Sequence, residues 1–134
     1  MKICIVIANY YPKISKELFI GSSKTLKKNG IKNYKKILVP GIFEIPVVIS
    51  RNIDSYDGFL ALGCVIKGKT PHANFISRAT INAIMNISIK HKKPIGNGII
   101  TCLNTKQALE RSNPQKKNKG GEAAKAILSV LGII

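Results

Sequence analysis

The sequence is poor in acidic side chains, arginine, histidine and cysteine, and it contains no tryptophan. Two histidines and six widely separated Asp and Glu residues offer no cluster of metal ligands, so we expect no metal site. Three cysteines at wide spacing match neither a disulfide framework nor a zinc signature. A reducing compartment, the cytoplasm, is therefore the simpler expectation.

The chain also lacks a long apolar run. Its longest apolar stretch, residues 126–134, is far short of the ~20 residues that a membrane helix needs. The apolar run at residues 3–8 is too short for a signal peptide and ends in Asn-Tyr-Tyr-Pro instead of a cleavage site. We interpret this run as a buried strand of a soluble protein.

Positive charge is what the chain has in excess. Lys and Arg number 22 against six acids, which gives a net charge of +16 and favours an anionic partner. A nucleic-acid-binding protein is one alternative, although the lysines are scattered, the arginines are few and no nucleic-acid-binding motif is present. The other alternative is a general compositional drift toward Lys, Ile and Asn, which would give the same excess of basic over acidic residues without a function.

Four β-rich runs alternate with helical patterns. Strands are predicted at residues 3–7, 35–39, 59–62 (within the segment 56–66) and 99–103, and helices at residues 15–29, 43–53, 71–90, 105–111 and 121–131. Strict alternation predicts an α/β fold with a parallel sheet and helices on both faces. No repeat or low-complexity linker interrupts residues 1–134, so we expect a single domain.

Ligands of open parallel sheets bind at the carboxyl ends of the strands. This rule directs attention to four segments that follow the predicted strands or include their ends: residues 9–13, 40–44, 64–72 and 95–104.

The segment 63–72 runs from a strand through a loop with Gly68 and two lysines into a predicted helix. Backbone N–H groups, the helix dipole and the lysines favour an anion there, although the spacing is not that of a Walker loop and an ordinary βα connection is the alternative. His72, in the first predicted turn, suits proton transfer, or else is a solvated or capping imidazole. Cys64 as a nucleophile activated by His72 is a weaker hypothesis.

Other candidates flank these segments. Glu44, between bulky apolar residues, suits hydrogen bonds from a ligand, or else a favourable charge at a helix N-terminus. Arg111 and Lys119 bracket a polar loop, and Arg111 is suited either to clamp a phosphate or to meet its own helix dipole. Tyr10 and Tyr11 suit stacking on a planar heterocycle, or else packing within a loop.

Taken together, three segments resemble the 6,7-dimethyl-8-ribityllumazine synthase family. They are residues 40–46 (PGIFEIP), residues 62–72 (LGCVIKGKTPH), and residues 107–111 (QALER) followed by 118–120 (NKG). The resemblance runs essentially end to end. It implies a flavodoxin-like three-layer sandwich around a four-stranded parallel sheet, and a homopentamer or larger assembly with active sites between neighbouring subunits.

The resemblance also implies a reaction and residue roles. The reaction condenses 5-amino-6-(D-ribitylamino)uracil with 3,4-dihydroxy-2-butanone 4-phosphate, and it needs no cofactor. The implied pyrimidine and ribityl contacts are Tyr10, Ile42, Phe43, Glu44, Cys64, Val65, Ile66 and, from the neighbouring subunit, Asn97. The implied phosphate contacts are Lys69, Thr70, Lys119 and, from the adjacent subunit, Arg111. His72 matches the residue that transfers protons.

The sequence departs from the family pattern at several positions. Tyr10-Tyr11 stands where the family commonly has Phe-Asn, Ile42 where a small residue is usual, and Lys67 where Arg is usual. Asn97 occupies a position often held by a Phe that the neighbouring subunit contributes. A non-catalytic flavin- or lumazine-binding scaffold is therefore a second alternative. The start at the first core strand and the Gly-poor loop 112–118 favour a plain pentamer.

Overall fold

The computed structural model of the chain describes residues 1–69 and 72–134. Within these residues the strands are β1 (Ile3–Ala8), β2 (Tyr34–Val39), β3 (Gly58–Ile66) and β4 (Ile95–Cys102). The helices are α1 (Pro12–Lys28), α2 (Ile45–Arg51), α3 (Ala73–His91), α4 (Thr105–Ser112) and α5 (Lys119–Val130), and a short 3-10 helix (Ile42–Glu44) precedes α2. The order of elements confirms the predicted alternation.

The strands form one parallel sheet in the order β2-β1-β3-β4. After β2 the chain crosses β1 and continues on its other side with β3, so the direction of winding reverses between β1 and β3. In sheets of this kind the carboxyl ends of the strands at such a reversal form a crevice that accepts ligands.

Helices cover both faces of the sheet, as predicted, and the resulting three layers contain two cores. On one face α1, α4 and α5 cover the sheet, and this core includes Leu18 of α1, Leu62 of β3 and Ile127 of α5. On the other face α2 and α3 cover the sheet, and this core includes Ile45 of α2 and Phe59 of β3. Every residue of β1 and β3 is buried, which explains why these strands are continuous apolar runs without alternation.

Strand β4 begins at Ile95, four residues earlier than the predicted strand at 99–103. Gly96 and Gly98 weaken the strand pattern in the sequence, but close packing requires them, of α5 against Gly96 and of Leu62 on β3 against Gly98. A Cβ atom on Gly96 would lie 2.5 Å from the carbonyl oxygen of Ala123, so a side chain there would push α5 away. Asn97 therefore lies in the amino-terminal half of β4, and the expectation that residues 95–104 mark a carboxyl end is wrong for its first half.

The helix boundaries also differ from the prediction. The expected helix at residues 43–53 is a 3-10 turn followed by the seven residues of α2, with Pro46 in the first turn. Helix α3 begins at Ala73 after His72, so His72 precedes the first turn instead of lying in it. The predicted start at Pro71 and cap at Thr70 lie outside the described residues. No helix in the described ranges has the length and apolarity to cross a bilayer.

Candidate active site

A pocket of about 280 Å³ opens at the carboxyl ends of β1, β2 and β3. We call it the switch-point pocket because it lies at the reversal of winding. Its lining residues are Tyr10, Pro40, Gly41, Ile42, Phe43, Glu44, Cys64, Val65 and Ile76. Six of them were candidates from the sequence, drawn from three separate segments, so the sheet brings the predicted residues together.

The wall after β2 is held in place by its own backbone. Glu44 Oε1 accepts a hydrogen bond from the Gly41 N–H at 3.0 Å, and the Glu44 N–H donates to the Gly41 carbonyl at 3.2 Å. This reciprocal arrangement fixes the carboxylate beside the pocket. Gly63 of β3 allows the wall to approach closely, because a Cβ atom there would lie 2.7 Å from Ile42 Cγ2.

The two adjacent tyrosines have different surroundings. Tyr10 lines the switch-point pocket and is 58% exposed, so its ring face is available to a ligand. Tyr11 packs against the core beneath α1, and its ring meets that of Tyr10 edge to face at 5.0 Å. Of the two rings that the sequence left open, Tyr10 is the one that borders the pocket.

Two predicted residues point away from the pocket. Ile66 is buried on the α1 side of the sheet, and its side chain lines a different groove together with Lys69 and Thr105. Lys69 Nζ donates a hydrogen bond to Thr105 Oγ1 at 2.9 Å, which ties the loop after β3 to the first turn of α4. Thr70, also predicted to bind phosphate, lies outside the described residues.

Cys64 forms a thiol pair that the sequence analysis did not foresee. Its partner is Cys102 on the neighbouring strand, and the hydrogen bond between them, together with burial, raises the pKa of Cys64. The same hydrogen bond and the nearby Arg111 lower the pKa of Cys102 to about 7, against the opposing effect of burial. Both causes, the hydrogen bond and burial, favour the neutral thiol of Cys64 over its thiolate, so they give no support to the hypothesis of a nucleophile activated by His72.

His72 does not line the switch-point pocket; it lies directly before α3, one helical turn ahead of Ile76. Its backbone is left-handed, with φ of 57°, and its carbonyl accepts the N–H of Ile76, a residue that lines the pocket. The imidazole is exposed, caps no backbone N–H of the helix, and lies 6.3 Å from the Phe75 ring between centroids. Within residues 1–69 and 72–134, no three His, Cys, Asp or Glu side chains gather as a metal site requires.

A second and larger concavity, of about 670 Å³, runs along the outer edge of β4 beside α4 and α5. Its lining residues are Asn97, Ile99, Ile100, Arg111, Lys117, Lys119, Glu122, Ala123 and Ala126. We call it the basic cleft. It contains three residues predicted from the sequence, Asn97, Arg111 and Lys119, and it shares no lining residue with the switch-point pocket.

Side chains of the basic cleft satisfy backbone groups on the free edge of β4. Arg111 Nη1 donates to the Thr101 carbonyl at 2.9 Å, and Asn97 Oδ1 accepts the N–H of Ile99 at 3.1 Å. These bonds protect an edge strand whose backbone groups would otherwise invite another strand. The bond from Arg111 also holds the guanidinium against the sheet, in the lining of the cleft.

The cleft contains one cation that the sequence analysis passed over, Lys117. Lys119, two residues later, forms an ion pair with Glu122 at 2.8 Å between Nζ and Oε2. The sequence indicates a basic loop by its lysines at 116, 117 and 119. It does not show which of these lysines line the cleft.

Comparison with known proteins gives one consistent family. A family model described as 6,7-dimethyl-8-ribityllumazine synthase matches residues 1–134. The chain is 42% identical to the 6,7-dimethyl-8-ribityllumazine synthase of Bartonella tribocorum, across 98% of this chain and 88% of that protein. It is 40% identical to 6,7-dimethyl-8-ribityllumazine synthase 1 of Rhodopseudomonas palustris, across 98% and 85% of the two chains. The enzyme of the same name from Buchnera aphidicola is 39% identical, with 98% and 86% covered.

Proposed function

The chain belongs to the 6,7-dimethyl-8-ribityllumazine synthase family, and from this premise we propose how its two concavities divide the work of the reaction. The protein is a transferase of riboflavin biosynthesis that condenses 5-amino-6-(D-ribitylamino)uracil with 3,4-dihydroxy-2-butanone 4-phosphate. The products are 6,7-dimethyl-8-ribityllumazine, phosphate and water. Whole-chain similarity to lumazine synthases does not favour the alternative of a nucleic-acid-binding protein or of a non-catalytic scaffold.

The switch-point pocket is our proposed site for the pyrimidine and its ribityl chain. Tyr10 would stack on the ring with its exposed face, and the fixed carboxylate of Glu44 would accept hydrogen bonds from ribityl hydroxyls. Ile42 and Phe43 would pack beside that chain. Cys64, Val65 and Ile66 would offer backbone groups to the uracil edge, a role that does not depend on where the Ile66 side chain points.

The basic cleft is our proposed site for the phosphate of the second substrate. Arg111 keeps free N–H groups in the planar geometry that binds phosphate oxygens, and Lys119 adds a point charge. Lys69 and Thr70 belong to the loop after β3, which we expect to close on the same phosphate from the other side. Lys69 is bonded to Thr105 instead, so its contribution requires that bond to break or the loop backbone to act in its place.

The observation that carries this proposal is the separation of the two concavities on one chain. The proposed phosphate ligands line the outer edge of β4, whereas Tyr10 and Glu44 line the crevice between central strands. A complete site then needs the basic cleft of one copy beside the switch-point pocket of the next. Such a head-to-tail contact forms a ring when its rotation closes, and we propose a closed homopentamer of single-domain subunits in the cytoplasm.

In this arrangement catalysis rests mainly on proximity. Holding the amine of one substrate against the ketone of the other is worth on the order of 7–11 kcal/mol for ideal alignment. His72, directly before α3, would move protons during amine addition, loss of phosphate and ring closure. A positioned histidine contributes roughly 10²- to 10⁴-fold to such steps.

The test is recovery of activity in mixed assemblies. Glu44→Ala removes a pocket residue and Arg111→Ala removes a cleft residue, so each pure variant lacks one half at every site. If sites are shared around a ring, a random equal mixture restores both halves at about one quarter of the sites. The two variants would be co-assembled with different affinity tags, purified through both tags and assayed for lumazine fluorescence.

Each variant denatured and reassembled alone serves as the control for recovery without mixing. Doubly tagged assemblies that remain as inactive as the pure variants would refute a shared site. Recovery above the mean of the pure variants supports it, because no single chain in the mixture carries both intact halves.

A further inference from the structure

The basic cleft holds a third cation, Lys117, to which neither the resemblance nor the relatives' names give a role. We propose that Lys117 is an additional phosphate ligand that makes the enzyme select the phosphorylated form of its four-carbon substrate. This inference rests on the assignment of the basic cleft to the phosphate, and its test separates the two.

Lys117 is the cation in the cleft whose charge is least compensated. Lys119 forms its ion pair with Glu122, and Arg111 uses one N–H on the Thr101 carbonyl while lying 3.9 Å from Cys102 Sγ. The ammonium of Lys117 has no ion pair or hydrogen bond within residues 1–69 and 72–134. A bound anion would therefore meet a full positive charge there without displacing an existing partner.

The loop that carries Lys117 has an ordered backbone. The Asn113 carbonyl accepts the N–H groups of Lys116 and Asn118, both at 3.0 Å, and Asn113 Oδ1 accepts that of Gln115 at 2.8 Å. Lys117 itself donates its N–H to the Glu110 carbonyl on α4 at 3.2 Å. These bonds fix the starting point of the Lys117 side chain in the middle of the cleft wall.

The far end of the loop is equally constrained. Asn118 adopts a left-handed backbone, with φ of 47°, and its side chain accepts the Gly121 N–H at the start of α5. Lys117 is thus held between α4, which carries Arg111, and α5, which begins with Lys119. Lys116 is next to it and also exposed, but it does not line the cleft.

The charge of the ligand explains why a third cation matters. A phosphate monoester carries about −1.5 to −2 at pH 7 and presents three acceptor oxygens. Arg111 can offset one unit, but Glu122 cancels much of what Lys119 offers. Lys117 supplies the second unit, and it supplies it only to a substrate that bears the phosphate.

The experiment compares Lys117→Gln with Lys116→Gln in the full-length assembly. Both variants lose one charge from the same loop, so an effect of net charge alone is matched between them. For Lys117→Gln we expect the KM for 3,4-dihydroxy-2-butanone 4-phosphate to rise about threefold to tenfold, as for one charged hydrogen bond lost in a solvated cleft. Competitive inhibition by inorganic phosphate should weaken by a similar factor, while the KM for the ribitylaminouracil stays unchanged.

Equal effects of the two substitutions would overturn the proposal, because they would show a long-range field in place of a contact. No effect of Lys117→Gln, with weaker phosphate inhibition in Arg111→Gln, would also overturn it while leaving the assignment of the cleft intact. If Arg111→Gln too leaves phosphate inhibition unchanged, the assignment of the cleft fails and Lys117 fails with it.

Discussion

The switch-point pocket and the basic cleft differ in how their functional groups are held. The pocket is made where buried strands end, so its groups are fixed by backbone hydrogen bonds such as that from Gly41 to Glu44. The cleft is made by side chains of α4, α5 and the loop between them, on the exposed edge of β4. The pocket is therefore inseparable from the core, whereas the cleft can change its charge while the fold stays intact.

This difference predicts different kinetic consequences. Changes around the pocket should alter the chemical step, the affinity for the pyrimidine or the stability of the chain. Changes in the cleft should alter the KM of the phosphorylated substrate and its dependence on salt, because exposed charges are screened over about 8–10 Å at physiological ionic strength.

The largest expected effect is that of His72→Ala, directly before α3. We expect kcat to fall about 10²-fold, the lower end of the usual contribution of a positioned histidine, with both KM values nearly unchanged. Alignment of the two substrates remains in the variant, so turnover should persist above the uncatalysed rate. Steady-state assays of lumazine fluorescence measure this, and His91→Ala, in the basic C-terminal turn of α3, is the matched control. A folded His72→Ala enzyme that binds both substrates with no turnover would contradict catalysis by proximity.

The next effect in size is that of Arg111→Ala in the cleft. Loss of a paired phosphate contact should raise the KM for the phosphorylated substrate roughly 10- to 100-fold, equivalent to about 1.4–2.8 kcal/mol, and should change kcat much less. Titration of initial rates at several salt concentrations measures it, and the exposed Arg78 of α3 offers Arg78→Ala as control. A variant that loses kcat and keeps its KM would break the division of labour between pocket and cleft.

Gly63→Ala tests the claim that the pocket belongs to the core. The added methyl would lie 2.7 Å from Ile42 Cγ2 and 3.1 Å from Ala8 Cβ, so the pocket wall must shift. Overpacking of this kind costs about 1–3 kcal/mol of unfolding free energy. Denaturant titration should show this loss, while Lys117→Gln in the cleft, which breaks no ion pair among the described residues, should leave the midpoint within error. Equal stability of Gly63→Ala and the parent would show that the pocket wall can shift at no cost, and would contradict the claim that the pocket belongs to the core.

The sequence predicted the elements whose signals are local. Continuous apolar runs marked β1 and β3, and two of the three motif segments, residues 40–46 and 62–72, marked strand ends that form the switch-point pocket. The start of β4 was missed because Gly96 is required by a close contact with Ala123 and Gly98 by one with Leu62, and no local pattern contains either contact. Likewise, only the fold shows that Lys69 reaches Thr105 and that Cys64 meets Cys102.

The grouping of cleft residues was beyond sequence reasoning for the same reason. Arg111 and Lys119 were paired in the sequence as the residues that bracket one loop, but Asn97 joins them only because α5 packs against the edge strand β4. Lys117 shows the limit most clearly. The position of Lys117 in the cleft depends on the hydrogen bonds around Asn113. Lys116 is also a lysine of the same loop, yet it does not line the cleft, and the sequence does not distinguish the two.

The smallest expected effect is that of Glu122→Gln. This substitution makes the cleft more positive by removing one acidic side chain, and so tests whether the cleft, unlike the pocket, acts through its charge. Glu122 compensates Lys119 at 2.8 Å, and both side chains are partly exposed, so the pair contributes at most about 1 kcal/mol to stability. Its removal frees the Lys119 ammonium for the phosphate and should lower the KM of the phosphorylated substrate about twofold at low salt. Asp54→Asn, in an exposed turn that is distant in sequence from Glu122, removes the same charge and serves as the control.

The lower KM of Glu122→Gln should return to the parent value at high salt, because it comes from an exposed charge. A lower KM that persists there, or that Asp54→Asn reproduces, would show that the cleft does not act through the local charge of Lys119.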